Sequence, residues 1–271
     1  MGSVITFLNQ KGGVGKSSSV HHLAGTLARM GRRVLLIDND PQASLTQGFW
    51  GPEATRQVAR LDGVAALYDP AFAPIPETLI RPTGIDGISI VAGSKHLTRF
   101  NMIPPEDWSS SERGMREFLD EVRDDFDQVL VDCPPNLHLC SWAALVAADF
   151  LVVPLQAEDY GAQGLEPVQE AMAEVQGGPN PALRLAGYLV TMFDKRLGIH
   201  LAYETLLREM YGPEVFASTF PLMKDFKEAV ASRQPISHYK PKSAASKACQ
   251  AIAAELVERI EGKALDTRRV A

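Results

Sequence analysis

The sequence has no run of apolar residues long enough to span a membrane, because polar or charged residues interrupt every apolar stretch. Its N-terminus enters the apolar segment Val4–Leu8 directly, without the charged region and apolar region of a secretory signal. We therefore expect a cytoplasmic protein that is neither exported nor attached to a membrane.

Cysteine is also scarce, with only 3 residues in the chain: Cys133, Cys140 and Cys249. They form no C-x-x-C pair, and an odd number of cysteines suits reduced thiols in a cytosol. We expect Cys140, which falls on a predicted helix, to be a small core residue.

The net charge of the chain is small, but the charged residues are unevenly distributed along the sequence. A net charge of −6 argues against a uniformly basic nucleic-acid binder, although a local patch can still act at short range. Between Pro104 and Asp132 there are ten acids and three bases, whereas between Lys224 and Lys247 there are six bases and two acids. With 45% apolar and 22% charged residues, the 271-residue chain is expected to form one globular domain over residues 1–262, followed by a flexible tail over 263–271.

A glycine-rich segment dominates the first part of the sequence. The apolar run Val4–Leu8 reads as a buried strand, residues 9–17 read Asn-Gln-Lys-Gly-Gly-Val-Gly-Lys-Ser, and apolar residues at helical spacing follow. A strand, a glycine-rich turn and a helix are the context of a phosphate-binding loop, whose glycines let backbone N–H groups surround an anion. Lys16 is predicted to reach the β- and γ-phosphates and Ser17 to ligate Mg²⁺. A ligand-free turn is the alternative, because Gln10 stands where the first loop glycine normally lies.

A second lysine at the head of the loop, Lys11, gives the sequence Lys-Gly-Gly-Val-Gly-Lys-Ser. This segment resembles the deviant Walker A loop of the ParA/MinD family of dimeric ATPases. The resemblance implies the cofactors ATP and Mg²⁺ and a homodimer with ATP sandwiched at its interface, in which Lys11 reaches the phosphates bound by the partner. The implied phosphate-binding set is Lys11, Gly12, Gly13, Val14, Gly15, Lys16, Ser17 and Ser18.

Acidic residues follow two further apolar runs. The run Val34–Ile37 leads into Asp-Asn-Asp-Pro-Gln at residues 38–42, and the run Gln128–Val131 leads into Asp132-Cys-Pro-Pro. Carboxylates beyond parallel strands lie where α/β sheets bind ligands, and an apolar strand ending in Asp is a Walker B arrangement. Both segments resemble the switch segments of the family, which implies that Asp40 orients the attacking water. The implied magnesium set is Ser17, Asp38, Asp40 and Asp132, and the implied catalytic set is Lys11, Lys16 and Asp40.

The alternation of strands and helices predicts an α/β fold, a mostly parallel twisted sheet with helices on both faces, as in a P-loop NTPase of the deviant Walker A type. We expect the last strand at Val215–Pro221. Residues 51–86 are the least regular part of the sequence, with short helices expected at Val58–Leu67 and Glu77–Ile80. A longer helix, capped near Trp108, is expected to run through Asp125.

Further contacts are implied by the resemblance alone. Adenine is expected near four residues after the last strands: Met192, Pro221, Leu222 and Met223. Residues Leu155–Glu158, together with Gly161 and Gly164, resemble the family segment at the dimer face. The resemblance covers almost the whole chain, which begins at the loop strand and shows no N-terminal DNA-binding extension of the kind that larger members carry.

The predicted function is a DNA-partitioning ATPase that binds nonspecific double-stranded DNA, associates with the nucleoid when ATP is bound, and works with a ParB-like or cargo-adaptor protein. Its candidate DNA contacts are the late bases Lys224, Lys227, Arg233, Lys240, Lys242 and Lys247. An ordinary solvated surface is the alternative for this cluster. The family arginines after the last strand are absent, since the chain reads Pro-Leu-Met-Lys-Asp from Pro221.

Two other functions use the same scaffold. A MinD-like membrane-cycling ATPase needs a C-terminal amphipathic helix, but residues 258–266 are of mixed charge and lack aromatics. An iron–sulfur protein like the nitrogenase iron protein needs two cysteines per subunit at the dimer axis, and Cys140 lacks the glycine-rich flank of such a ligand.

Overall fold

The computed structural model describes residues 1–103, 111–157 and 165–268, with side chains in the last range described up to residue 262. Within these ranges the strands are β1 (Ser3–Phe7), β2 (Val34–Asp38), β3 (Ile80–Pro82), β4 (Ile88–Val91), β5 (Gln128–Asp132), β6 (Phe150–Gln156) and β7 (Arg184–Thr191). They form one sheet in the order β3-β4-β2-β5-β1-β6-β7. Only β3, at the edge, runs antiparallel to its neighbour, which confirms the predicted, mostly parallel sheet.

Helices connect these strands. Their bounds are α1 (Lys16–Arg29), α2 (Ser44–Arg56), α3 (Pro76–Leu79), α4 (Gly114–Val122), α5 (Leu139–Ala147), α6 (Glu166–Gly177), α7 (Gly198–Tyr211), α8 (Lys224–Ala231), α9 (Ile236–Tyr239) and α10 (Ala244–Arg268). No helix in the described part of the chain is both long and apolar enough to cross a membrane.

The sheet is buried on both faces. Side chains alternate along each strand, so that Val4 joins one core and Ile5 the other. The first core contains apolar residues of α4, α5, α6 and α7, and the second contains those of α1, α8, α9 and α10. Strands covered on both faces explain the nearly continuous apolar runs of β1, β2 and β5.

The predicted strand Val215–Pro221 is wrong, because this segment does not form a regular strand. Only isolated parallel bridges form there, pairing Tyr188 with Val215 and Phe193 with Pro221. The N–H groups of Phe216 and Phe220 donate to β7, at Tyr188 and Val190. Other backbone groups of the segment are bound by α10, because Arg259 donates to the carbonyl of Val215 at 2.9 Å and Glu255 accepts from the N–H groups of residues 217 and 218 at 2.7 and 2.9 Å. The helix itself continues to Arg268, past the predicted domain end at residue 262.

The irregular region differs most from the predictions. Helix α2 was not expected, because Gly51 and Pro52 interrupt its sequence, and Gly51 forms a kink with φ 82°. The predicted helix Val58–Leu67 is wrong over its first half, since only Val64–Tyr68 is helical, as a 3₁₀ turn. The predicted helix through Asp125 is shorter as α4, with 3₁₀ turns at 111–113 and 123–125, and its cap at Trp108 lies outside the described residues.

Candidate nucleotide-binding site

The glycine-rich loop joins β1, next to the centre of the sheet, to the first turn of α1. Gly13 and Gly15 have φ values of 78° and 82°, which L side chains rarely adopt. A Cβ atom placed on Gly12 or Gly13 would have no other atom within 4 Å, so the loop borders open space. Backbone N–H groups and a helix N-terminus that face open space form an anion site.

Lys16, near the C-terminal end of the loop, is held in place by backbone carbonyls of the loop itself. Lys16 Nζ donates to the carbonyl oxygens of Asn9 and Lys11 at 3.0 and 3.1 Å. Burial lowers the pKa of Lys16, while the carboxylates of Asp132 and Asp40 oppose that change. An ammonium group stripped of water and held against the loop is positioned to bind phosphate oxygens.

Side chains outside the predicted set fix the shape of the loop. Asn9 Oδ1 accepts from the Lys11 N–H at 2.9 Å, and its Nδ2 donates to the Pro154 carbonyl at 2.8 Å. Thr191 Oγ1 lies 2.8 Å from the carbonyl oxygen of Val14 as a hydrogen-bond donor. A buried polar residue at the end of an apolar strand was the available signal for Asn9. Thr191 is distant in sequence and gave none.

Two carboxyl groups meet at the ends of neighbouring strands, because Asp38 on β2 pairs in register with Asp132 on β5. Among the described residues, neither carboxylate oxygen of Asp132 has a hydrogen-bond partner. Burial, reinforced by the nearby Asp38, raises the pKa of Asp132 well above its usual range. Burial likewise raises the pKa of Asp38 to about 7.

Asp38 is tied to the start of α2 rather than open to the cleft. Its Oδ2 accepts from the N–H and the hydroxyl of Thr46 at 2.7 and 2.6 Å. The Thr46 hydroxyl in turn accepts from the Gly93 N–H at 2.9 Å. Asp38 therefore lies beside Asp132 on the neighbouring strand and is held by the start of α2. Thr46 escaped sequence analysis because α2 was not foreseen.

The unpartnered carboxylate oxygens suit a cation. Leaving buried charge without a partner is costly, and oxygen atoms beside a phosphate loop fit Mg²⁺, which keeps several non-protein oxygen ligands. In the described part of the chain, no three His, Cys, Asp or Glu side chains are arranged to hold a metal by themselves. An ion here would therefore need phosphate and water oxygens in addition to Ser17 and Asp132.

Asp40 lines the cleft in front of the loop. It is 8% exposed, and its Oδ1 accepts from the Gln42 N–H at 2.8 Å. Burial raises the pKa of Asp40, while the charge of Lys16 lowers it. The cleft has a volume of about 450 Å³ and is lined by Gly12, Gly13, Gly15, Lys16, Ser17, Ser18, His21, Asp40, Gln42, Ser44, Gly48, Pro135 and Val230.

The residues predicted to lie near adenine gather on the β7 side of the loop. A Cβ atom on Gly15 would lie 3.6 Å from the Met192 side chain. Pro221 bridges to Phe193, and the Leu222 N–H donates to the Phe193 carbonyl at 2.8 Å. Leu222 and Met223 are 52% and 36% exposed, which leaves apolar surface beside the loop. Of the predicted dimer-face segment, residues 158–164 lie outside the described residues.

The late basic cluster is only partly available. Lys240 Nζ donates to Asp225 and Glu228 at 2.8 and 2.7 Å, so two acids neutralise this lysine. Arg233 donates to the carbonyl of Gln47 in α2 at 2.9 Å. Exposed positions remain at Lys224, which pairs with Glu228 at 3.3 Å, and at Lys227, Lys242 and Lys247. The cluster borders the cleft, because Val230 of the same helix, α8, lines it.

Comparisons with known proteins agree with this geometry. A family model described as an AAA domain matches residues 2–185. The chromosome-partitioning ATPase Soj of Thermus thermophilus is 36% identical over 258 residues, covering 95% of this chain and 96% of Soj.

Two solved structures share the fold. Cobyrinic acid a,c-diamide synthase from Mycobacterium smegmatis, with a bound ATP analogue and magnesium, has a TM-score of 0.78 at 26% identity, covering 96% of each chain. An ATP complex of Cyanothece McdA has a TM-score of 0.80 at 18% identity, again covering 96% of each chain. From its loop, its paired acids and its full-length similarity to Soj, the chain belongs to the ParA/Soj family of P-loop ATPases, of the ParA/MinD type.

Proposed function

We propose that this protein is a partitioning ATPase that binds ATP and Mg²⁺, dimerises around the nucleotide, binds nonspecific DNA as the dimer and releases it after hydrolysis. The observation that supports this most is that the glycine loop, Lys16 and Asp40 line one cleft, and that the charge of Lys16 interacts with the buried Asp132, whose carboxylate oxygens have no hydrogen-bond partner among the described residues. Family membership and full-length similarity to Soj support the partitioning role.

The proposed chemistry is phosphoryl transfer to water, which depends on positioning and charge neutralisation more than on covalent steps. The amides of residues 12–18 and the Lys16 ammonium bind the phosphates, and Met192, Pro221, Leu222 and Met223 contact adenine. Ser17 and Asp132 would hold Mg²⁺, with Asp38 as support, and the ion would supply positive charge to neutralise the phosphates. Asp40 accepts a hydrogen bond from the attacking water and aligns it, a role that its place in the cleft allows.

Dimerisation is proposed to complete the site through Lys11. The Lys11 backbone is fixed at both ends, by Asn9 through its N–H and by Lys16 through its carbonyl. Its neighbours Gly12 and Gly13 are exposed, so a partner could approach this side of the loop. A lysine from the partner would add positive charge where the phosphates bear most negative charge.

The dimer is tested by measuring molar mass with light scattering after gel filtration in MgATP. Asp40→Ala should slow hydrolysis and trap the dimer, and adding Lys11→Ala should return it to a monomer. Lys95→Ala, which removes another exposed lysine, is the matched control and should leave the trapped dimer intact. A dimer that survives Lys11→Ala would contradict the cross-subunit role.

DNA binding is proposed for the exposed bases of α8 and of the segment that follows it, which need only charge to bind phosphates. In this scheme a ParB-like or cargo-adaptor protein supplies the cargo and stimulates a weak intrinsic ATPase, and the ATP-bound dimer associates with the nucleoid. The cluster lies next to the cleft rather than on a distant surface, so closure around ATP could alter its presentation to DNA.

A further inference from the structure

Asn39, between Asp38 and Asp40, is fully buried at 0% exposure, yet each of its side-chain polar groups is paired. Its backbone N–H donates to the carbonyl of Asp132 at 2.9 Å. Its Nδ2 donates to the carbonyl of Cys140 at 2.7 Å, and its Oδ1 accepts from the Tyr68 hydroxyl at 2.8 Å.

These three bonds connect segments that are far apart in sequence. Cys140 lies in the first turn of α5, the helix that follows Asp132 and its Pro-Pro segment. Tyr68 ends the 3₁₀ turn Val64–Tyr68, and it is 1% exposed in the core beneath α4. One amide side chain therefore joins the Asp40 segment to the Asp132 segment and both to the core.

We infer that Asn39 and Tyr68 are positioning residues for hydrolysis, which together set the place of the Asp40 carboxylate relative to Asp132. The Asp40 main chain cannot shift without breaking hydrogen bonds of a buried amide, and unpaired buried polar groups are costly. Small displacements of a group that aligns a reactant reduce the rate strongly while binding of the substrate is unaffected. The inference rests on the proposed role of Asp40.

The bridge that Asn39 forms with Tyr68 and Cys140 can be tested by a mild substitution at Tyr68 and a severe one at Asn39. Tyr68→Phe removes only the hydroxyl, keeps the ring in the core and leaves Asn39 bonded to Cys140. Asn39→Leu removes both side-chain bonds at similar volume. If they act through one bridge, adding Tyr68→Phe to Asn39→Leu should change little, because the hydroxyl has already lost its partner.

Tyr188→Phe is the matched control. Tyr188 is also buried, at 2% exposure, and its hydroxyl accepts from Gln169 Nε2 at 2.6 Å, in the contact between α6 and β7. Each Tyr→Phe change deletes one hydroxyl and one hydrogen bond, so both should lower thermal stability by similar amounts. Of the two, only Tyr68 contacts Asn39, the residue that precedes Asp40.

The experiment measures kcat and KM for MgATP in the parent protein and in the four variants Tyr68→Phe, Tyr188→Phe, Asn39→Leu and Asp40→Ala. We expect Tyr68→Phe to lower kcat about 3- to 10-fold and Asn39→Leu about 10-fold or more, each with an unchanged KM, and Tyr188→Phe to change neither. Equal kcat values for Tyr68→Phe and Tyr188→Phe, or a raised KM at unchanged kcat, would overturn the inference, even if Asn39→Leu failed to fold.

Asp40→Ala separates this inference from the function on which it rests. If Asp40→Ala abolishes hydrolysis while Tyr68→Phe behaves like the control, only the bridge is wrong. If Asp40→Ala hydrolyses ATP normally, the proposed role of Asp40 is wrong, and the bridge loses its purpose with it.

Discussion

Gly93 marks the closest approach of the main chain after β4 to the acidic pair. A Cβ atom at this position would lie 2.7 Å from both Cγ and the carbonyl oxygen of Asp38, closer than real Cβ contacts allow. The Gly93 N–H also supports Thr46, which holds Asp38. The position therefore requires glycine because a side chain has no space there, and through Asp38 it affects the edge of the sheet that carries the acidic pair.

We predict that Gly93→Ala destabilises the protein by about 1–3 kcal/mol, because the core must move to admit a methyl group. Urea unfolding followed by circular dichroism measures this. Gly177→Ala, at the end of α6 where no atom lies within 4 Å of the new Cβ, should be neutral or stabilising by about 0.5 kcal/mol. Equal stabilities of the two variants would show that Asp38 has room to move.

His21 is a second residue whose surroundings determine its behaviour. It lies in the core beside the cleft, its ring centroid is 4.4 Å from that of Phe49, and neither ring nitrogen has a hydrogen-bond partner among the described residues. Burial lowers the pKa of His21 to about 4, so the imidazole is neutral in the folded protein. Protonation below about pH 6.5 then favours the unfolded chain.

We predict that stability falls as the pH is lowered from about 6.5 to about 4, with up to about 3 kcal/mol of the loss due to His21. His21→Leu keeps the volume and removes the titrating group, so it should flatten this part of the pH profile. Melting temperatures measured at half-unit pH intervals test this. Parallel profiles for parent and variant would show that His21 does not carry the effect.

At the scale of single residues, the sequence predicted those that belong to short contiguous motifs. Lys16 and Ser17 begin α1 after the glycine loop, Asp40 lies two positions after the end of β2, and Asp132 ends β5, so the pattern of strands and glycines locates them. Asn39, Thr46 and Tyr68 were missed as partners because their bonds join segments separated by 8 to 101 positions. Hydrogen bonds at such separations depend on how the chain packs, which periodicity does not encode.

Among the elements, α10 does more than cover the sheet. Arg259 donates to the carbonyls of Ala186 and Val215 at 2.9 Å each and lies over the ring of Phe216 at 4.3 Å. Glu255, which pairs with Arg259 at 2.9 Å, accepts from two backbone N–H groups of the same segment. The Arg259–Glu255 pair thus binds both the edge of β7 and the irregular segment that lies where an eighth strand would be.

We predict that Arg259→Met destabilises the protein by about 2–4 kcal/mol, because it removes the cationic partner of the partly buried Glu255 and the donor to two carbonyls. Arg56→Met is the control, since Arg56 pairs with Glu53 on the surface, where side chains are 74% and 77% exposed. It should change stability by less than about 0.5 kcal/mol. Urea unfolding compares them, and comparable losses would deny α10 this role.

The contrast between local apolar patterns and contacts of distant side chains also explains which elements could be predicted from the sequence. The central strands were found because burial on both faces makes them continuous apolar runs. Residues 215–221 show a similar apolar pattern, but they pair with β7 and Phe193 only at isolated bridges, while side chains of α10 bind the carbonyl of residue 215 and the N–H groups of residues 217 and 218. Helix α2 was not predicted, because Gly51 and Pro52 separate its two halves and interrupt the helical pattern in the sequence.

On the scale of the whole molecule, charge follows the two faces of the sheet. Helix α4, in the acid-rich part of the sequence, packs on one core, and α8, at the start of the base-rich segment 224–247, packs on the other. A net charge of −6 therefore does not prevent one face from attracting DNA, because salt screens distant charges more than near ones. Lys240 is excluded from that attraction by its two acidic partners.

The last prediction concerns this basic face. In mobility-shift assays with MgATP and random duplex, Lys224→Glu combined with Lys227→Glu should weaken DNA binding about tenfold or more. The slope of log K against the logarithm of the salt concentration should fall by the amount that corresponds to about two phosphate contacts. The control has the same change in charge on the other face, with Lys95→Glu and Arg113→Glu, both exposed positions near the first core. If net charge alone governs binding, both double variants weaken it equally. If the α8 face is the contact surface, only the first does so, and its salt slope becomes shallower because fewer counterions are released when the DNA binds.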